Sequence, residues 1–184
     1  MNTAITVTAD IALVQPQAQL VRPTFELIAS NQAHLNTWLT WPNKMQSALN
    51  VAAFFDRANL SAAAKQSLVL LVLYQQQVCG VISFNEFQTN NHSASVGYWL
   101  GEAYQGLGIV GLALAKLLDI GFNDYQLNKI VIRTGVGNVR SEAVARRLGF
   151  VFEGIARDNE WLNGRYTDHK VFSLLRREWL QQSL

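Results

Sequence analysis

Apolar positions change their spacing twice along this chain, and the changes outline its organisation. Ile11–Val14 is a short apolar run of strand type. From Leu20 to Leu39 the large side chains Leu20, Phe25, Leu27, Ile28, Leu35, Trp38 and Leu39 recur at helical spacing, interrupted near Pro23 and Ser30, which predicts two short helices. Trp38-Leu39-Thr40-Trp41-Pro42 breaks the pattern, and Val51, Phe54, Phe55, Ala58 and Leu60 restore it, predicting a helix over residues 50–64. The first third therefore reads as a helical wall.

The spacing then turns to strand type. Residues 67–74 form a continuous apolar run, Gln75-Gln76-Gln77 reads as a turn, and residues 78–84 run back as the second half of a hairpin. A third strand is expected over Ser93–Leu100, after the polar turn Gln88-Thr89-Asn90-Asn91. Helical periodicity returns over residues 108–122, followed by a strand at 129–134, a helix at 139–148 stopped by Gly149, a strand from Phe150 and a last strand at 166–175. An antiparallel meander followed by strand–helix–strand predicts a mixed α/β sheet. Neither internal repeats nor low-complexity linkers interrupt the chain, and a single domain over residues 1–184 is expected.

Composition narrows the function classes. With 15% charged residues, 49% hydrophobic residues and a formal net charge of +2, the chain is neither a disordered tail nor a polybasic surface, so nucleic acid and membranes are poor partners. Cys79 is the single cysteine and the three histidines, His34, His92 and His169, have no metal-ligand spacing, so no metal is expected. The amino terminus lacks the basic and apolar regions of an export signal, and a cytoplasmic setting fits. Cys79, in a strand beside Gly80, is a poor nucleophile because a thiol in apolar surroundings keeps its proton.

The strand Gly97-Tyr98-Trp99-Leu100 runs into Gln105-Gly106-Leu107-Gly108-Ile109-Val110-Gly111 and then a helix. Glycines at a helix N-terminus let backbone N–H groups converge on an anion. No Gly-Lys-Ser/Thr follows, and the glycine spacing and ribose-binding acid of a dinucleotide site are missing. A diphosphate that is neither a nucleoside triphosphate nor NAD is the chemistry that remains. Asn138, ahead of the helix at 139–148, has the position of an N-cap.

The ordered set of pieces resembles the GCN5-related N-acetyltransferase (GNAT) family, and within it the ribosomal-protein N-terminal acetyltransferase branch of RimL type. The resemblance rests on the strand–Gln-Gly-x-Gly–helix unit, Asn138-Val139-Arg140-Ser141, Arg147-Leu148-Gly149-Phe150, Trp38-Leu39-x-Trp41-Pro42, Gly80-Val81-Ile82-Ser83-Phe84-Asn85, Ala143-Val144-Ala145-Arg146-Arg147 and Glu160-Trp161-Leu162-Asn163-Gly164. It spans nearly the whole chain.

The resemblance implies a twisted, mostly antiparallel sheet flanked by helices, and acetyl transfer from acetyl-CoA to an amine. Gln105 to Gly111 would cradle the CoA pyrophosphate, although Val110 departs from the small residue usual there. The backbone of Tyr98, Trp99 and Leu100 would pair with pantetheine and supply N–H donors to the thioester oxygen. Asn138 would add a contact to a pantetheine amide, and Arg146 and Arg147 are candidates for the CoA phosphates. Ala145 replaces the tyrosine that protonates the departing thiolate in many relatives. Ser141, one helical turn earlier, takes that role and a place at the cofactor. Glu160 is the implied base, with Glu86 in reserve. Trp38, Trp41 and Trp161 would line the acceptor groove. The implied acceptor is the N-terminal serine of a ribosomal protein, the acidic stalk protein, and a homodimer is expected. Another amine (a polyamine, an antibiotic or a different protein N-terminus) and an idle acetyl-CoA-binding module stay open.

Overall fold

The structure, a computed structural model, describes residues 4–182. Eight strands form one sheet: β1 (Ile5–Thr6), β2 (Ile11–Val14), β3 (Leu68–Tyr74), β4 (Gln77–Gln88), β5 (Ser93–Leu100), β6 (Lys129–Gly135), β7 (Val151–Leu162) and β8 (Arg165–Leu175). Their order is β1-β2-β3-β4-β5-β6-β8-β7, and every neighbouring pair is antiparallel except β5 and β6. Six helices accompany it: α1 (Val21–Ser30), α2 (Gln32–Asn36), α3 (Ala48–Ala63), α4 (Ile109–Asp119), α5 (Val139–Arg147) and α6 (Arg176–Gln182). The mixed, mostly antiparallel α/β sheet expected from the sequence is the fold.

Strand alternation divides the side chains between two layers. Leu68, Leu70 and Val72 of β3, Ile82 and Phe84 of β4, Ala94 and Val96 of β5, and Ile130 and Ile132 of β6 pack with Leu114, Leu117 and Leu118 of α4. The intervening residues Leu71, Val81 and Trp99 pack instead with Ile28 of α1, Leu35 of α2, and Val51 and Phe55 of α3. The predicted helical wall is thus a layer on one face of the sheet, while α4 and α5 cover the other.

Local chemistry explains most boundaries. Ser47 accepts a hydrogen bond from the Asn50 N–H, so α3 starts at Ala48, two residues before the apolar pattern resumes. The β3–β4 hairpin turns on Gln75 and Gln76 alone, both at positive φ (48° and 66°), which suits the twist of a two-residue turn. Strand β4 runs four residues beyond the predicted Phe84, through a bulge between Phe84 and Glu86. Helix α4 starts one residue after Gly108, and its expected extension to Phe122 is a wider π-type turn over Ile120–Asp124. The two residues of β1 and the whole of α6 are additions to the sequence reading.

Candidate active site

Strands β5 and β6 pair side by side only from Ser93↔Lys129 to Val96↔Ile132. Beyond this, Gly97–Leu100 pairs with β4 alone, while Arg133–Gly135 pairs with β8. The strands therefore fork, and the backbone of Tyr98, Trp99 and Leu100 on the β6 side faces the gap. An extended polar chain laid in the fork would find the hydrogen-bonding groups that a neighbouring strand normally satisfies.

At the open end of the fork the chain turns into α4. Gly106 and Gly108 hold φ of 77° and 75°, and a Cβ on either would meet no heavy atom within 4 Å. Both glycines thus sit on an open surface in a conformation that side chains disfavour. The first helical hydrogen bond runs from Leu112 N–H to Gly108 O at 3.2 Å, so the N–H groups of Ile109, Val110 and Gly111 precede the ladder and stand at the positive end of the helix dipole. The Val110 side chain packs partly buried against the core behind the turn, so its size does not narrow the cradle. The residues present fit a pyrophosphate.

The turn is tied to elements far away in sequence. Glu102 N–H donates to Asn31 Oδ1 at 2.8 Å, and the Gln105 amide meets His34 Nε2 at 2.7 Å and accepts from the Arg140 guanidinium. Asn31, His34 and Arg140 were not legible as partners of the cradle, because nothing local marks a hydrogen bond across 71 or 35 residues.

Across the fork, α5 presents Ser141 in its first turn. Asn138 is the N-cap, its Oδ1 accepting from the Ser141 N–H at 3.2 Å. Ser141 Oγ lies 2.9 Å from the hydroxyl of Tyr98, which leaves β5 on the α5 side. Tyr98 thus spans the fork, a side-chain role the sequence did not suggest. Burial pushes its phenol up, with the Ser141 hydrogen bond opposing, so the hydroxyl keeps its proton. Ala145 is fully buried in the core. Arg146 is held by Glu142 at 2.8 Å and lies over the Phe172 ring, 5.4 Å from its centroid, so it is committed to the α5–β8 contact. Cys79 is fully buried, its thiol pushed up to about 12 by desolvation.

On the opposite face, Glu160 of β7 pairs with Thr167 and Ala156 pairs with His169, so Arg157, Asp158 and Asn159 bulge against Asp168 alone. Asp158 has φ 49°, and its N–H donates to Asp168 Oδ1 at 2.9 Å. The bulge aims Glu160 at His169: Oε2 stands 3.5 Å from Nε2, with the side chains 33% and 14% exposed. Trp38 lies against Gly135, where a Cβ would come within 3.3 Å of its ring, and Gly135 is the register partner of His169. Trp38, His169 and Glu160 therefore share one side. Trp41 packs on Trp99 with ring centroids 5.6 Å apart, joined to the second core. Trp161 follows Glu160 directly, so its side chain leaves β7 on the other face, where it is 57% exposed beside Tyr166. The structure does not bring the three tryptophans together. Glu86 pairs with Ser95 and is exposed, without the enclosure that surrounds Glu160.

Among the described residues no group of three or more His, Cys, Asp or Glu side chains is placed to hold a metal ion, and no helix is long and apolar enough to cross a membrane.

Comparison with known proteins agrees with this geometry. The ribosomal-protein-serine acetyltransferase of Escherichia coli (strain K12) is 31% identical over 173 residues, covering 94% of this chain and 97% of that one. The solved structure of RimL, the ribosomal L7/L12 alpha-N-protein acetyltransferase in complex with coenzyme A, matches with a TM-score of 0.91 and 30% identity over 94% of this chain and 98% of the other. The microcin C7 self-immunity acetyltransferase MccE, solved with acetyl-CoA and AMP, matches at 0.90 and 30% identity over 95% and 97%. The acetyltransferase (GNAT) domain model matches residues 10–151. With the forked strands and the glycine cradle, these matches establish that the chain belongs to the GNAT family of acetyl-CoA-dependent acetyltransferases.

Proposed function

We propose that this enzyme acetylates the N-terminal α-amino group of a ribosomal protein, a serine-starting stalk protein, by direct attack of the amine on the thioester. The observation that carries the reading is the division of proton-handling groups across the fork. Glu160 lies on the α1–α3 face, and Ser141 stands at the start of α5 beyond the gap. Similarity to the E. coli ribosomal-protein-serine acetyltransferase over nearly the full length of both chains supports the acceptor.

Glu160 takes the proton as the amine attacks, directly or through one water. An α-amino group, with a reference pKa of about 7.7–8.0, is already roughly one-tenth neutral at pH 7, so a weak base suffices. The N–H groups along Tyr98–Leu100 stabilise the oxyanion. Ser141 passes its hydroxyl proton to the leaving thiolate and regains one from solvent, with the Tyr98 hydroxyl, 2.9 Å away, holding it in place. Cys79, buried and protonated, supports a route without an acyl-enzyme. Trp38 borders the acceptor side. A cytoplasmic setting and a homodimer complete the proposal.

The test is acetyl-CoA turnover with the purified stalk protein, read by thiol release and by mass spectrometry of the intact N-terminus. A mass gain of one acetyl group on the N-terminal serine of the acceptor supports the reading. An unmodified N-terminus alongside turnover of a polyamine or an antibiotic overturns it. The like match to the microcin C7 self-immunity acetyltransferase keeps an antibiotic acceptor as the second reading.

A further inference from the structure

We infer that His169 is a positioning residue for Glu160, completing an Asn159–His169–Glu160 chain on the β7–β8 ribbon. This rests on the reading of Glu160 as the base.

Each ring nitrogen of His169 faces a side chain of β7. Nδ1 lies 3.0 Å from the Asn159 side-chain nitrogen, which is a donor only, so Nδ1 is the acceptor and a neutral ring carries its proton on Nε2. Nε2 points towards Glu160 Oε2 across 3.5 Å. With the Asn159 amide in this orientation, the Nε2–H tautomer is the one that faces the carboxylate. The separation exceeds a hydrogen bond in the free enzyme, as is common for catalytic groups that tighten when substrate binds.

The fold is built to make this contact. In an unbulged ribbon Glu160 would oppose Arg165; the two extra residues between Ala156 and Glu160 keep it on the His169 face but set it opposite Thr167, two positions nearer to His169, and Asp168 fixes the bulge by accepting from the Asp158 N–H. The packing of Trp38 on Gly135 closes the neighbouring side. His169 is the less exposed of the pair, as expected of a group acting through its neighbour.

The consequence is an assignment of oxygens. Nε2–H holds Oε2, and Oε1 is left to receive the proton of the attacking amine. The imidazole neither gains nor loses a proton in the step. It fixes the carboxylate plane, a contribution of the kind that holds a working group in register with its target.

The experiment is a double-mutant cycle in the full-length enzyme, with kcat and KM measured for acetyl-CoA and for whichever amine is turned over. His169→Ala should lower kcat about tenfold, less than the hundredfold or more expected from losing a general base in Glu160→Gln, with KM for acetyl-CoA unchanged. In the Glu160→Gln background, His169→Ala should have no further effect. His169→Gln, whose amide can donate to Oε2, should recover most of the activity, and His169→Leu should not. Asn159→Ala, at an exposed position tolerant of change, should lower kcat in the same Glu160-dependent way.

Equal losses from His169→Ala with and without Glu160, or equal activity of the Gln and Leu variants, overturn the positioning role. A Glu160→Gln enzyme with unchanged kcat overturns the base assignment itself, and so the two failures are separable.

Discussion

Replacing Gly108 with alanine separates the two things that this glycine does. Its φ is 75°, and the added Cβ would project into open space, meeting nothing within 4 Å. No steric clash accompanies the change in the free protein, so the folding cost is the left-handed backbone, about 1–2 kcal/mol for an alanine. The stiffer unfolded chain returns about 0.4–1 kcal/mol of that. The net loss of roughly 1 kcal/mol corresponds to a fall in Tm of about 2–4 °C for a domain of this size. Binding suffers differently, because the methyl group is added to the open surface at the start of α4 where the cradle would receive the pyrophosphate. Losing one charge-assisted hydrogen bond to a phosphate costs about 1.5–3 kcal/mol, a ten- to hundredfold weaker Kd.

The control lies in the β7–β8 turn, where Gly164 has φ 80° and equally open surroundings. Gly164→Ala should lower Tm by the same few degrees and leave CoA affinity untouched. Calorimetric titration with CoA, paired with thermal unfolding of both variants, reads both quantities. Two variants with equal Tm losses and both retaining wild-type CoA affinity would refute the cradle.

Other residues yield expectations of the same kind. Ser141→Ala should cut kcat about a hundredfold. Its stability loss should stay near about 1 kcal/mol, because the Tyr98 hydroxyl keeps the Ser141 carbonyl at 3.3 Å as an acceptor; wild-type turnover would remove Ser141 as the acid. Glu160→Gln should be most impaired at low pH and recover as rising pH deprotonates the amine unaided, and a profile parallel to wild type would contradict the base assignment. Cys79→Ala should retain turnover at a modest stability cost, whereas a folded but inactive variant would reinstate an acyl-enzyme. The Glu142 carboxyl is held below its ordinary value of 4.5, first by the Lys170 hydrogen bond and then by Arg146. A depressed carboxyl contributes stability that is present above its unfolded value and lost as pH falls through its native one. Lys170→Met should therefore flatten the acid limb of a Tm-against-pH curve, and an unchanged limb would show that the pair is not coupled to folding.

The sequence reveals what is local. Gln105 to Gly111 is recognisable because glycine, helix start and preceding strand are contiguous, and the Asn138 cap sits three residues from the N–H it serves. The Glu160 neighbourhood is harder to read. His169 faces it only because a bulge shifts the register of two strands, and an alternation argument cannot foresee where a bulge falls. Trp161, which the resemblance places in the acceptor groove, follows Glu160 directly and so lies on the other face of the ribbon. Likewise Gln105 advertises a turn, while the His34 and Arg140 that grip it become neighbours only after the helical wall folds over the sheet. Apolar periodicity gave the layers; long-range register had to come from the structure.

The fork between β5 and β6 also bears on solubility. Unpaired strand backbone on the outside of a sheet is a template for sticking to other molecules, and proteins usually blunt it with charge or a bulge. Here the groups of Tyr98–Leu100 that β6 does not pair face inward to a gap flanked by α5 and spanned by the Tyr98 hydroxyl bond. The enzyme can thus keep a strand edge ready for a slender, extended guest while offering colliding proteins little edge on which to build a cross-chain sheet.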